Sequence, residues 1–259
     1  MVNGEVCIET KRIVIGSATP VNLPRARSRI GIVTETHVPE NSPPPTRWSE
    51  VSRDAAAAAA YRRRFAALEA QGADLHGEAR FVASVVPPPA RILDGGCGFG
   101  RLTRMLTQLG YDAVGVDADK HLIDIARRED PATEYVHADL TAMDLSQENL
   151  SPWGTSTWAG TRGFHAAVLI GNVVPYLAVG TLDAAVRRIA AHLVPGGLVI
   201  AGFGLTRADL PEKANIVPIS EYDRALRGAG FSLQQRYATW DRGPWNIGSS
   251  YAVSVHRRT

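Results

Sequence analysis

The sequence predicts an α/β fold with a mainly parallel sheet covered by helices on both faces, and three observations support that class. Short apolar segments bounded by turn formers, at residues 92–94, 111–117 and 134–137, are typical of strands buried on both faces. Segments with apolar residues at helical spacing separate them. A glycine-rich turn joins the first of these strands to the helix that follows it. We therefore expect a ligand at the carboxyl ends of the strands.

The rest of the chain is organised around this glycine-rich turn. Gly96, Gly98 and Gly100 occupy alternate positions, so the backbone can take positive φ and a ligand can approach without a Cβ in the way. The helix predicted over residues 102–109 directs its unpaired amides at the same place. A nicotinamide-binding loop would need a third glycine three positions after the second. That position holds Arg101 or Thr103, depending on which glycine is counted first.

The pattern Asp-x-Gly-x-Gly-x-Gly behind an apolar run, with its acid at Asp94, is similar to the first motif of class I S-adenosylmethionine-dependent methyltransferases. The resemblance implies a Rossmann-like, seven-stranded sheet of order 3-2-1-4-5-7-6, in which strand 7 is antiparallel. It also implies S-adenosylmethionine as the cofactor. An acid at the strand end suits this ligand, because its amino acid end is zwitterionic and its sulfonium is cationic.

Two further acids follow the next two predicted strands. Asp117 ends the second strand at the place where doubly wound nucleotide folds accept ribose hydroxyls, and by itself it fits a dinucleotide or an adenosyl ligand equally well. After the third strand, Asp139 resembles the residue that accepts the adenine amino group in the family, with the amide of Leu140 reaching the ring. Asp119 is interpreted as a helix N-cap. Three acids at successive strand ends therefore predict an adenosyl site.

The fourth predicted strand, residues 164–170, continues the resemblance. Gly171 and Asn172 fall where the family places groups near the methionine part and the transferred methyl. His165 replaces an acid that the family usually has, but it lies at the strand end opposite the ligand and is predicted to be structural. A turn at 195–197 precedes the fifth strand, as it often does in the family.

The C-terminal part of the chain predicts a helix and a closing hairpin. A helix capped near Ser220 is followed by residues 231–239 and 251–256, which alternate as two strands. An antiparallel hairpin at this place distinguishes the methyltransferase sheet from a nicotinamide-binding one. Before the fourth strand, the polar segment 146–163 with its two tryptophans, Trp153 and Trp158, is predicted to be a surface insertion.

Composition and charge argue against several classes of partner. The 259 residues carry a formal net charge of +2 without a basic stripe, so neither nucleic acid nor another strongly charged partner is expected. No apolar run is long enough to span a membrane, and the N-terminus lacks the basic segment followed by an apolar segment that is typical of a signal peptide. A cytoplasmic location without membrane association is therefore predicted. Cys7 and Cys97 lie far apart, so neither a disulfide nor a metal site is expected.

The chain before the glycine turn divides at residue 48. Residues 1–48 end in three successive prolines, which stiffen a chain, and they are predicted to form a poorly ordered extension and linker rather than a docked hairpin. An upstream reading of the start codon is a further alternative for this part. Residues 49–259 are predicted to form the methyltransferase domain, whose first part, 49–88, is a helical cap over the cofactor mouth. Within that cap, Arg62 to Arg64 are interpreted as a solvated helix face.

The resemblance implies methyl transfer to a small-molecule acceptor by in-line displacement, a reaction that requires a closed site and no metal. A hydroxyl acceptor would need a general base, for which His76, Tyr61, Tyr176 and Asp241 are candidates by location. No single catalytic residue is assigned. Two alternatives stay open: a non-catalytic S-adenosylmethionine-binding regulator or scaffold, and a nicotinamide-dependent oxidoreductase, which the glycine spacing and the C-terminal hairpin disfavour.

Overall fold

The computed structural model describes residues 43–145 and 163–259, together with the backbone of two short strands, β1 (Val6–Ile8) and β2 (Lys11–Ile13). These two strands pair with each other in antiparallel register. The rest of the predicted N-terminal extension lies outside the described residues. The same holds for residues 146–162 of the predicted insertion, including both of its tryptophans.

One seven-stranded sheet organises the domain. Its order is β5-β4-β3-β6-β7-β9-β8, which is 3-2-1-4-5-7-6 when counted from its first strand, as predicted. Strand β9 runs antiparallel to both β7 and β8, whereas the other neighbours are parallel. The strands are β3 (Arg91–Gly95), β4 (Asp112–Asp117), β5 (Glu134–His137), β6 (Phe164–Leu169), β7 (Leu193–Gly204), β8 (Phe231–Tyr237) and β9 (Tyr251–Arg258).

Helices cover both faces of this sheet. Neighbouring residues of β3 show the two layers, because Leu93 packs into the apolar cluster that contains Ile189 and Tyr222, whereas Ile92 packs into the one that contains Phe81 and Leu106. Alternation of this kind lets a parallel strand bury both faces. The helices are α1 (Ala55–Ala70), α2 (Gly77–Val85), α3 (Arg101–Gln108), α4 (Lys120–Glu129), α5 (Val173–Tyr176), α6 (Leu182–His192) and α7 (Ile219–Gly228), preceded by a 3-10 helix at Arg47–Glu50.

Two local predictions in the C-terminal half have different outcomes. The expected turn at 195–197 lies within the bounds of β7, in the part between Leu193 and Leu198 that pairs with no other strand, and Gly196 has a φ of 76° there. The predicted cap near Ser220 is wrong. Helix α7 begins at Ile219 behind Pro218, so Ser220 already lies within its first turn and makes no capping hydrogen bond. The predicted cap of α4 is confirmed: Asp119 Oδ1 accepts from the amide of His121 at 2.9 Å.

The cap is tied to the sheet domain by charged and polar contacts. Arg101, the first residue of α3, donates to both carboxylate oxygens of Glu78 on α2, at 2.8 and 2.9 Å. Arg62 on α1 pairs with Glu129 on α4 at 2.8 Å. The prediction of a solvated face is therefore wrong for Arg62, because its guanidinium also lies 4.9 Å above the ring of Phe99. In the described part of the chain, no helix is both long and apolar enough to span a membrane.

Candidate functional site

A cleft opens beneath the cap at the carboxyl ends of β3, β4 and β6. Its empty space, which includes open solvent at the mouth, amounts to about 940 Å³. A crevice at this edge is expected where neighbouring parallel strands send their chains to opposite faces of the sheet. The cleft is lined by Thr46, Trp48, Tyr61, Phe65, Asp94, Gly96, Cys97, Gly98, Phe99, Arg101, Leu102, Asp117, Ala118, Leu122, Asp139, Leu140, Ile170, Gly171, Val173, Tyr176 and Leu177.

The glycine turn forms the floor of the cleft. Gly96, Gly98 and Gly100 all have positive φ, at 77°, 57° and 80°, a backbone that favours glycine. Gly96 and Gly98 line the cleft, but Gly100 does not. A Cβ at Gly100 would lie 2.5 Å from the hydroxyl of Tyr135, so packing against Tyr135 by itself requires a glycine here, and the ligand contact at Gly100 stays a prediction.

Asp94 ends the apolar run of β3 and is almost fully buried. Its Oδ2 accepts a hydrogen bond from the hydroxyl of Thr103 at 2.6 Å. Burial raises the pKa of Asp94 to about 7, against the lowering effects of the Thr103 hydrogen bond and the Arg101 guanidinium. The charge of Asp117 adds to the rise. The carboxyl group is therefore poised to gain a negative charge when a cation binds beside it.

Asp117 ends β4 and faces the same cleft. Its Oδ2 accepts from the amide of Gly98 and its Oδ1 from the amide of Asp119, each at 2.8 Å. Burial raises the pKa of this carboxyl to about 6, although both amide hydrogen bonds oppose the rise. These bonds fix the plane of the carboxylate relative to the glycine turn.

Asp139 and Leu140 follow β5 and complete the row of strand ends. Asp139 Oδ1 accepts from the amide of Thr141 at 2.7 Å. Its Oδ2 accepts no hydrogen bond within the ranges 43–145 and 163–259. The structure thus brings all three predicted acids, Asp94, Asp117 and Asp139, into one cleft.

Gly171 and Asn172 follow β6 but face different surroundings. Gly171 lines the cleft with a φ of 79°, and no atom lies within 4 Å of the position that a Cβ would take. Asn172 has a left-handed backbone, with a φ of 67°, and its buried side chain is not among those that line the cleft. Its Oδ1 accepts from the amide of Gly204 at 2.9 Å, so it braces β7. A ligand contact from Asn172 stays a prediction.

An aromatic wall from the cap closes the cleft, and its first member was assigned to the extension. The ring of Trp48 lies 4.9 Å from that of Tyr61 and 5.2 Å from that of Tyr176, in edge-on geometry. Its indole Nε1 donates to Asp119 Oδ2 at 2.9 Å. Phe65 and Phe99 extend the wall, with ring centroids 5.3 Å apart. Trp48, soon after the three prolines, is the sequence signal that would have included this residue in the cap.

The four candidate bases divide into two pairs. Tyr61 and Tyr176 line the cleft, whereas His76, which precedes α2, and the exposed Asp241 do not. Burial raises the pKa of both phenols, to about 12 for Tyr176, so both are protonated at neutral pH. They are suited to donate hydrogen bonds. His165, predicted to be structural, accepts from the amide of Arg91 at 3.0 Å, at the end of β3 opposite the cleft.

The arrangement of charges suits a ligand with a cationic and an anionic end. Asp94 supplies an acid beside Arg101, whose guanidinium is bound to Glu78 and to the carbonyl oxygen of Leu75. The remaining wall is apolar and aromatic, as for an adenine or another flat ring. Among the described residues, no group of three or more histidine, cysteine or acidic side chains is placed to hold a metal ion.

Several known proteins similar to this chain are named as methyltransferases. A family model described as a methyltransferase domain matches residues 92–197, which contain the glycine turn and all three acids. The dTDP-3-amino-3,6-dideoxy-alpha-D-glucopyranose N,N-dimethyltransferase of Streptomyces fradiae is 30% identical over 137 residues, 51% of this chain and 48% of that protein. The chain spans about half the length of the curated relatives that it matches.

Solved structures extend the similarity beyond the matched segment. A TehB-like SAM-dependent methyltransferase from Corynebacterium glutamicum has a TM-score of 0.68 at 29% identity, covering 80% of this chain and 100% of that one. The SAM-bound amino pentose methyltransferase CalS10 from Micromonospora echinaspora has a TM-score of 0.55 at 20% identity, covering 76% of this chain and 96% of that one. At 20% identity, the similarity to the Micromonospora protein shows the fold alone.

Proposed function

Because the chain belongs to the class I S-adenosylmethionine-dependent methyltransferases, we propose that it transfers a methyl group from this cofactor to a small-molecule acceptor bound under the cap. One observation carries the proposal. Asp94, Asp117 and Asp139 end three neighbouring parallel strands and share one cleft with the glycine turn. An adenosyl sulfonium presents complementary groups in the same order, namely an ammonium, a ribose diol and an adenine amino group.

The adenosine part of the cofactor is assigned to two of these acids. We assign the ribose hydroxyls to Asp117, whose oxygens keep free lone pairs after accepting the amides of Gly98 and Asp119. We assign the adenine amino group to Asp139 Oδ2, because Oδ1 is occupied by the Thr141 amide. The amide of Leu140, the next residue, is assigned to the adenine ring.

The methionine part is assigned to Asp94 and Arg101. Asp94 faces the ammonium, and Gly96 leaves room for the backbone to approach it, since its φ of 77° excludes most side chains. The guanidinium of Arg101 balances the methionine carboxylate while Glu78 keeps it in place. When bound, the cofactor supplies a methyl group activated by the positive charge of its sulfonium.

The chain's own residues orient the acceptor and exclude water. The rings of Trp48, Tyr61 and Phe65 close the cleft from the cap side, so that the two reactants are held together out of bulk solvent. Gly171 leaves open space next to the cleft, where an acceptor atom can approach. The phenols of Tyr61 and Tyr176 donate hydrogen bonds to the acceptor. A neutral amine acceptor would need no further base.

A small-molecule acceptor is supported by the enclosed aromatic cleft and by the relatives. The Streptomyces fradiae protein is named for a nucleotide-linked amino sugar, and the Micromonospora protein for an amino pentose. The formal net charge of +2 gives no reason to expect a nucleic acid acceptor.

Titration calorimetry of the full chain tests the cofactor, and turnover tests the reaction. S-adenosylmethionine and S-adenosylhomocysteine should bind, whereas NAD should not. A library of small amines, alcohols and acids is then incubated with S-adenosylmethionine, and the S-adenosylhomocysteine formed is measured. Tight binding of NAD without binding of S-adenosylmethionine would refute the proposal. Binding of the cofactor without turnover of any acceptor would favour the regulatory alternative.

A further inference from the structure

One arginine beside the cleft lacks the partner that its neighbours have. Arg62 pairs with Glu129, and Arg101 pairs with Glu78. Arg64, also on α1 and half-buried, makes no hydrogen bond or ion pair with any residue of 43–145 or 163–259. A guanidinium that is partly removed from water is costly unless an anion compensates it.

Arg64 lies next to a residue that lines the cleft. It lies one helical turn after Tyr61 on α1, at the edge of the face that packs on the domain. Its guanidinium is within electrostatic range of the hydroxyls of Tyr61 and Tyr176, and burial lowers its pKa. Neither hydroxyl has a hydrogen-bond partner within the described ranges. Two phenols that line the cleft, and one guanidinium three residues further along α1 that does not itself line it, are therefore donors without an acceptor among the described residues.

The acids of the cleft do not serve as the missing acceptor. No hydrogen bond or ion pair joins Arg64 to Asp94, Asp117 or Asp139, whose partners are Thr103, two backbone amides and Thr141 respectively. A planar guanidinium matches the two oxygens of a carboxylate or of a phosphate in a forked geometry. The chemistry that fits this group of donors is an anionic oxygen group brought by a ligand.

We propose that the methyl acceptor carries a carboxylate or phosphate group, which Arg64 binds while the phenols of Tyr61 and Tyr176 donate to the same oxygens. This inference rests on the proposed function, because it places the acceptor in the methyl-transfer cleft. The carboxylate of the cofactor is assigned to a different arginine, Arg101. This residue begins α3 directly after the glycine turn and lines the cleft together with Asp94. Arg64 is thus a specificity residue for the acceptor.

Matched pairs of small probes test the proposal in the full chain. Benzoate is compared with benzamide, and phenyl phosphate with phenol, in protein saturated with S-adenosylhomocysteine, by ligand-observed NMR titration. At least one anion should bind roughly tenfold more tightly than its neutral counterpart, as expected for a hydrogen bond to a charged group. The benzoate and phenyl phosphate arms distinguish a carboxylate from a phosphate. Arg64→Gln should abolish the preference.

The neighbouring Arg63 provides the matched control. It lies on the same helix but is exposed, so Arg63→Gln should keep the preference for the anion and shows what the loss of one charge does by itself. Thermal denaturation of both variants excludes misfolding as the cause. Equal binding of anion and neutral probe by the wild type, absence of binding by any probe, or an unchanged preference in Arg64→Gln would overturn the proposal.

A separate measurement keeps the two proposals apart. The affinity for S-adenosylhomocysteine is determined first, in the wild type and in Arg64→Gln. Failure of the wild type to bind it refutes the proposed function whatever the probes do. If Arg64→Gln loses cofactor affinity and keeps the anion preference, the guanidinium serves the cofactor and the acceptor proposal is wrong.

Discussion

Protonation of Asp94 should control cofactor affinity. The carboxyl of the free protein has a pKa of about 7, mainly because it is buried, and the cation of S-adenosylmethionine can only be balanced by its ionised form. Binding should therefore lower this pKa and release a proton. If only the ionised form binds, affinity should rise roughly eightfold from about pH 6 to about pH 7.5, as the ionised fraction grows. Asp117, with a pKa of about 6, adds a smaller change of the same sign.

Calorimetry measures this linkage directly. Titrations in buffers with different ionisation enthalpies should show nearly one proton released near pH 6 and few at alkaline pH. The range stays below the titration of the cofactor's own amino group, at about pH 8. Thr103→Val removes the hydroxyl that donates to Asp94 Oδ2, so the pKa of Asp94 should rise further and the affinity profile should move to higher pH. Thr107→Val, one turn along α3, is the matched control, because its hydroxyl contacts the Thr103 carbonyl oxygen and the Thr133 hydroxyl and not Asp94.

An affinity that does not vary with pH, or binding without proton release, would refute this account of Asp94. The same shift has a consequence for the free protein. Because the folded state holds the proton of Asp94 more tightly than the unfolded chain does, the group contributes stability that is fully present below about pH 4 and is lost as the pH rises through about 7. Because the ligand binds the ionised form, S-adenosylhomocysteine should raise the thermal stability more at about pH 7.5 than at about pH 6.

Three further predictions concern the cap, the glycine turn and a phenol. Trp48→Phe removes the hydrogen bond to Asp119 and should weaken calorimetric binding of S-adenosylhomocysteine by roughly tenfold; wild-type affinity would contradict the role of the cap. Gly96→Ala places a Cβ 2.3 Å from Val173 Cγ2 at a φ of 77°. Denaturant unfolding should show a loss of at least about 1 kcal/mol, and unchanged stability would be the contrary result. Tyr176→Phe should keep kcat within about tenfold, because a pKa of about 12 leaves the phenol protonated; a large loss of kcat together with loss of the ascending limb of the pH-rate profile would instead identify it as a base.

Much of the fold followed from local patterns. Apolar segments bounded by turns predicted the parallel strands, and β5 begins and ends where the sequence placed it, at Glu134 and His137. The carboxyl ends of parallel strands meet at one edge of a sheet, so the acids at those ends had to lie near one another. Asp94, Asp117 and Asp139 are for this reason the best-predicted part of the site.

The positions of individual side chains around that row were decided by long-range packing. Glycine at 100 and asparagine at 172 were expected at the ligand because of their place in the motifs. The first also makes room for Tyr135 and the second binds the amide of Gly204, both more than 30 residues away in the chain. No local sequence pattern predicts a contact between residues that are so far apart in the chain.

The sequence by itself determined the parallel sheet, the flexible glycine turn and the row of acids, because these depend on residue periodicity and backbone freedom within a few positions. Only the tertiary structure decided which of the aligned groups face the cleft, that Trp48 closes it, and how far burial raises the pKa of Asp94. Those properties depend on which distant segments pack together and exclude water, and a linear pattern carries no measure of that.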